Sequence, residues 1–201
     1  GIRKDDILLV QMPNIVELVI LYLAVSNLGA IISPVPMQYR ENELSEIMTI
    51  LQPKAVVGVA SFKNDDAMSA LLTAIDDDKS TLSTTPKSLC WGEHSHCGNL
   101  EVLMQTSESD QAYQEYRQTS ERSGDDILTL CWTSGTEGTP KSIPRSHNQW
   151  LTVGLATYEG NQIQAGETLL NPFPFINMAS IGGLFLSCLL YTSPSPRDGL
   201  L

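Results

Sequence analysis

An α/β fold, with parallel strands layered against crossover helices, is predicted by three features of residues 5–59. Short apolar runs bounded by turn residues recur at 7–10, 30–35 and 55–59 and read as buried strands. Between them, the apolar residues of 15–28 and 43–51 fall at helical rather than alternating spacing. Strand and helix alternating in this order favour a parallel sheet, because parallel neighbours need a long return connection that a helix supplies.

Asp5 and Asp6 form a charged entry to the first strand, and Met12-Pro13-Asn14 ends it, with Asn14 suited to cap the helix that follows. From Ile15 to Leu28 apolar residues cover most of the helical circumference, as expected of a helix packed on a sheet on one side and on neighbours on the other. Gly29 ends that helix, Pro34 and Pro36 close the second strand, and Leu44, Ile47, Met48 and Leu51 give the helix at 43–51 one apolar face. Residues 126–132 read as a further strand. From Lys79 to about Ser123 the pattern is polar and weakly periodic, a surface excursion.

The formal net charge of −11 argues against a surface that tracks nucleic-acid phosphates, which needs clustered Lys and Arg. Asp65-Asp66 and Asp76-Asp77-Asp78 lie beside Lys63 and Lys79 and read as solvated element ends. The apolar stretch from Ile15 to Ile32 contains Glu17, Asn27 and Gly29, which suit a buried helix better than an integral membrane segment. Cys90, Cys97, Cys131 and Cys188 are irregularly spaced and fit inert thiols in a reduced, cytoplasmic protein, and no secretory signal is seen. The run from Cys90 through His94 and His96 to Cys97 has no second ligand pair to wrap a zinc ion, so it reads as a polar loop.

The strongest signal follows the strand at 126–132. Thr133-Ser134-Gly135-Thr136-Glu137-Gly138-Thr139-Pro140-Lys141 combines two glycines that permit close backbone approach, hydroxyl donors and one cation. Concave backbone N–H groups bind anions without formal charge, so such a loop suits a polyphosphate. The rival Walker A pattern fails at Pro140, which stands where its second glycine belongs and has neither the N–H nor the freedom in φ. A ligand-free hairpin rich in Gly, Ser and Thr is the bland alternative.

The stretch 133–141 resembles the phosphate-binding signature of the adenylate-forming superfamily, which includes acyl-CoA synthetases, nonribosomal peptide adenylation domains and luciferases. The resemblance extends upstream to Asp6 through Asn14 with Glu17, to Gly29-Ala30 before Pro34 and Pro36, and to Arg40 through Leu44. It implies an incomplete large N-terminal domain at residues 1–188, with 189–201 a non-native or irregular tail. The implied chemistry is attack of a carboxylic acid on the α-phosphate of ATP with Mg2+, followed by transfer of the acyl group to CoA. Thr133, Ser134, Gly135, Thr136, Glu137, Gly138, Thr139 and Lys141 correspond to the loop that holds the β- and γ-phosphates, with Thr136 the candidate for orienting phosphate near Mg2+.

Two departures and several omissions accompany the resemblance. Ser142 replaces a frequent glycine, a tolerable change at the start of a strand. In 171–177, where Phe175 and Asn177 are the candidate acid-pocket residues, Asn177 stands where many members carry His; Asn hydrogen-bonds but cannot shuttle a proton near neutral pH. His147 reads as structural. The adenine, ribose and magnesium-carboxylate motifs and the catalytic lysine of the superfamily have no counterpart here, so no catalytic residue is assigned and the piece alone is expected to be inactive. An amino-acid-activating adenylation domain and a non-catalytic nucleotide-binding module are the alternatives to an acid–CoA ligase.

Overall fold

The computed structural model describes residues 1–77, 81–105, 109–133, 141–164 and 167–188. Its main sheet is built from β1 (Ile7–Gln11), β2 (Ile31–Pro34), β3 (Ala55–Val59), β6 (Lys87–Trp91), β7 (Gly98–Asn99), β8 (Ile127–Thr133) and β9 (Lys141–Ser146), in the spatial order β7-β6-β3-β1-β2-β8-β9. Every neighbouring pair is parallel except β8 with β9, which close the sheet as an antiparallel edge. Strands β4 (Ser61–Phe62) and β5 (Asp65–Asp66) make a separate two-stranded hairpin.

Helices cover both faces, as the parallel pairing requires. Alternate residues of β1 enter opposite cores: Leu8 and Val10 join Leu18, Tyr22 and Val25 of α1 (Val16–Leu28), whereas Leu9 joins Leu44, Ile47 and Met48 of α2 (Glu41–Leu51) and Leu71 of α3 (Ser69–Asp76). Each fully buried aliphatic side chain of this kind contributes about 1.5–3 kcal/mol. The short α4 (Leu100–Gln105) and α5 (Ser109–Thr119) lead to β8, and α6 (His147–Gly160) follows β9 and packs on the α1 side. A turn of helix, α7 (Met178–Ser180), then runs into a π-helix at Ile181–Phe185.

The α/β expectation holds, and so do the buried face of α2 and the role of Gly29, which adopts a φ of 70° and directs its N–H back to the end of α1. Three expectations need correction. The polar excursion contains β6, which lies beside β3 inside the sheet with Cys90 fully buried. Its outer residues Lys87 and Ser88 hide a strand whose apolar partners arrive only through the tertiary fold. Cys90 and Trp91 are therefore strand residues, not parts of a loop, while burial pushes the Cys97 thiol up to about 11.

The second concerns α1, which is buried on its sheet side but not all round: Val16 is 71% exposed and Leu23, which borders a cavity with Leu151 and Phe185, is 46% exposed. The third is Asn14. Ile15, not Asn14, is the N-cap of α1, and no side chain caps it. Asn14 is committed elsewhere, to the segment after Asn171.

Candidate nucleotide-binding site

Strands β8 and β9 bring the two ends of the glycine-rich loop together. Their antiparallel register runs from Ile127↔Ser146 to Thr133↔Lys141, so the loop leaves and re-enters the sheet at directly opposed residues. The Thr133 hydroxyl donates to the Lys141 carbonyl at 3.3 Å, and both residues are exposed at this edge. Ser142 sits inside β9, where the absence of a glycine carries no conformational demand. Ser134, Gly135, Thr136, Glu137, Gly138, Thr139 and Pro140 lie outside the described residues.

The root of the loop is held from below. Thr129 is buried in β8, and its hydroxyl accepts the indole N–H of Trp150, which reaches up from α6 at 2.9 Å. The Cys131 thiol faces the same hydroxyl at 3.6 Å, and burial raises its pKa, which keeps it a protonated thiol rather than a thiolate. A buried hydroxyl and a buried indole that satisfy each other avoid the cost of about 1–3 kcal/mol for leaving either unpaired.

The proposed acid-pocket segment is clamped against the start of α1. Asn14 behaves as a strand-like partner: its Nδ2 donates to the Phe173 carbonyl at 2.8 Å while its Oδ1 accepts the Phe175 N–H at 2.9 Å. The Tyr22 phenol donates to the Phe175 carbonyl at 2.7 Å, and burial raises its pKa well above the ordinary value, so it stays a donor. The Phe175 ring meets Phe185 edge-on at 5.3 Å, facing the core. Asn177 is the exposed N-cap of α7, its Oδ1 accepting the Ser180 N–H at 3.2 Å. Pro172, Pro174 and Ile176 line a cleft of about 220 Å³ together with Met12, Asn14 and Pro36.

Two groups of predicted residues are thus placed, Thr133 with Lys141 and Phe175 with Asn177, and no hydrogen bond or ion pair joins one group to the other among the described residues. Asn14, Tyr22 and Trp150 are positioning residues that spacing alone does not mark. A roomier cavity of about 370 Å³, lined by Gln11, Arg40, Glu41, Lys63 and Asp65, receives none of the predicted residues. His147 opens α6, and burial lowers its pKa below the ordinary 6.5, with Asp126 opposing the shift. No group of three His, Cys, Asp or Glu is placed to hold a metal among the described residues.

The sequence matches the family described as "AMP-binding enzyme" across residues 1–192. The chain belongs to the AMP-binding enzyme family. It is 23% identical over 197 residues to 4-coumarate–CoA ligase 3 of Arabidopsis thaliana, covering 94% of this chain and 32% of that protein. It is 25% identical over 190 residues to a long-chain-fatty-acid–CoA ligase of Mycobacterium tuberculosis, covering 94% of this chain and 34% of the relative. The chain therefore spans about a third of the length of these curated relatives. In fold it is similar to acetoacetyl-CoA synthetase from Streptomyces lividans, with a TM-score of 0.72 at 17% identity over 95% of this chain and 29% of that one. The α/β arrangement of this AMP-binding chain is thus the arrangement found within larger acid–CoA ligases.

Proposed function

We propose that the chain carries the phosphate-binding part of an ATP-dependent, AMP-forming acid–thiol ligase. In this reading a carboxylate oxygen attacks the α-phosphorus of ATP, the bond to the bridging oxygen of the pyrophosphate breaks, and an acyl-adenylate and pyrophosphate result. The thiolate of CoA then attacks the acyl carbon and AMP departs. No nucleophilic side chain is needed, because adenylyl transfer is served by positioning and charge stabilisation.

The observation that carries this reading is the register Thr133↔Lys141, which ties the ends of a glycine-and-hydroxyl loop at an exposed sheet edge in a chain of the AMP-binding family. Hydroxyls, backbone amides and the Lys141 ammonium are donors suited to the β- and γ-phosphate oxygens, each such bond contributing about 1.5–3 kcal/mol. That donor set, without a carboxylate cage, suits Mg2+ held through phosphate oxygens, with Thr136 orienting the phosphate; the ion neutralises phosphate charge when bound. Apolar Ile176, with Pro172 and Pro174 in the cleft, favours an aromatic or aliphatic acid, and Asn177 serves as a hydrogen-bonding residue with no proton-shuttling role.

The test is exchange of labelled pyrophosphate into ATP by the full-length gene product, with aromatic and aliphatic acids supplied in turn. Acid-dependent exchange is expected. Exchange with amino acids alone would move the protein to the amino-acid-activating class, and none with any acid would leave a nucleotide binder.

A further inference from the structure

The ladder between β2 and β8 consists of one register pair, Ile32↔Thr129, although β8 continues four residues further to Thr133 at the mouth of the loop. Beyond that pair a single side chain takes over. Ser33 is fully buried, and its hydroxyl donates to the Leu130 carbonyl at 3.1 Å while accepting the Trp132 indole N–H at 2.9 Å. A serine hydroxyl has one hydrogen to give and lone pairs to receive, so both capacities of Ser33 are spent on β8. Ser33 is itself fixed in the sheet, paired in register with Leu9 of β1. On the far side, Trp132 is paired with Ser142, one step before Thr133↔Lys141.

We infer that Ser33 is a positioning residue for the phosphate loop, acting through the Trp132 indole to fix the direction in which the chain leaves β8 at Thr133. The inference rests on the reading that 133–141 holds the β- and γ-phosphates. Donors aimed at phosphate oxygens act only when held in place before the ligand arrives, so a shift of the chain at Thr133 weakens their hold on the ligand. Ser33 touches no part of the ligand; its effect travels through one hydrogen bond.

The consequence is selective. AMP lacks the phosphates that the loop would hold, so loss of the Ser33–Trp132 bond weakens ATP and spares AMP. Calorimetric titration of the full-length gene product with ATP and, separately, with AMP tests this in the wild type, Ser33→Ala, Trp132→Phe and the double variant. Trp132→Phe keeps an aromatic ring in place and serves if Ser33→Ala fails to fold. Each single variant is expected to bind ATP about five- to tenfold more weakly with its Kd for AMP unchanged. The double variant is expected to be no weaker than the worse single one, since both remove the same bond. A wild type that prefers ATP, with variants that keep that preference or lose both nucleotides equally, overturns the role of Ser33 alone. A wild type that binds ATP no better than AMP overturns the reading of the loop and this inference with it.

Discussion

Asn14 illustrates how one carboxamide can do more than a helix cap. Its two hydrogen bonds to Phe173 and Phe175 hold the segment that leads into α7, at a site open to water. Asn14→Ala is expected to cost about 1 kcal/mol in urea unfolding, the net worth of an exposed hydrogen-bonded pair. Asn14→Asp keeps the acceptor for the Phe175 N–H but loses the donor to the Phe173 carbonyl, so its unfolding free energy falls between those of wild type and Asn14→Ala. His147 adds a pH dependence. Burial lowers its folded pKa below 6.5, so the unfolded chain binds the proton first as the pH drops. The stability contributed by the neutral ring is present above 6.5 and is lost as the pH falls through the folded pKa. Melting temperatures compared between about pH 7.5 and about pH 5.5 are therefore expected to fall less in His147→Gln than in wild type.

Among the elements, the π-helix offers a matched pair of glycines. A Cβ on Gly182 would lie 2.7 Å from Val153 Cγ1 and 3.0 Å from the Trp150 ring, whereas one on Gly183 would meet nothing closer than 3.9 Å. Gly182→Ala is expected to destabilise by about 1–3 kcal/mol through overpacking between this helix and α6, and Gly183→Ala to be tolerated, as chemical denaturation would report. Equal effects would mean that the close approach of α6 is not what Gly182 provides. The elements legible in the sequence were those whose pattern is self-contained: α2 shows its buried face at helical spacing, and β3 is apolar throughout. Strand β6 was not legible, because Lys87 and Ser88 are polar and its pairing with β3 crosses a long stretch of chain. The circumference of α1 was legible as apolar, but which side the fold would cover was not, since Leu18 and Leu23 are chemically the same.

For the molecule as a whole, the sheet order was beyond sequence reasoning even though the parallel class was not. Placing β8 beside β2 depends on Ile32 pairing with Thr129 and on Ser33 meeting Leu130 and Trp132, residues far apart in the chain. The candidate site was legible as a motif, Thr133 to Lys141, because glycines, hydroxyls and a lysine in one run carry their chemistry with them. Its supports were not, because Trp150 and Ser33 are ordinary residues until the fold gives them partners, and the same holds for Asn14 and Tyr22 at the segment 173–175. No described helix is long and apolar enough to cross a membrane. The account stands or falls on whether the loop at the β8–β9 edge holds the triphosphate, and Lys141 is the residue that brings formal positive charge to it. Titration of ATP into the full-length gene product and its Lys141→Ala variant measures this directly. The account predicts affinity about ten- to a hundredfold weaker in the variant, as for loss of a charge-assisted phosphate contact; equal affinity in the two proteins would contradict it.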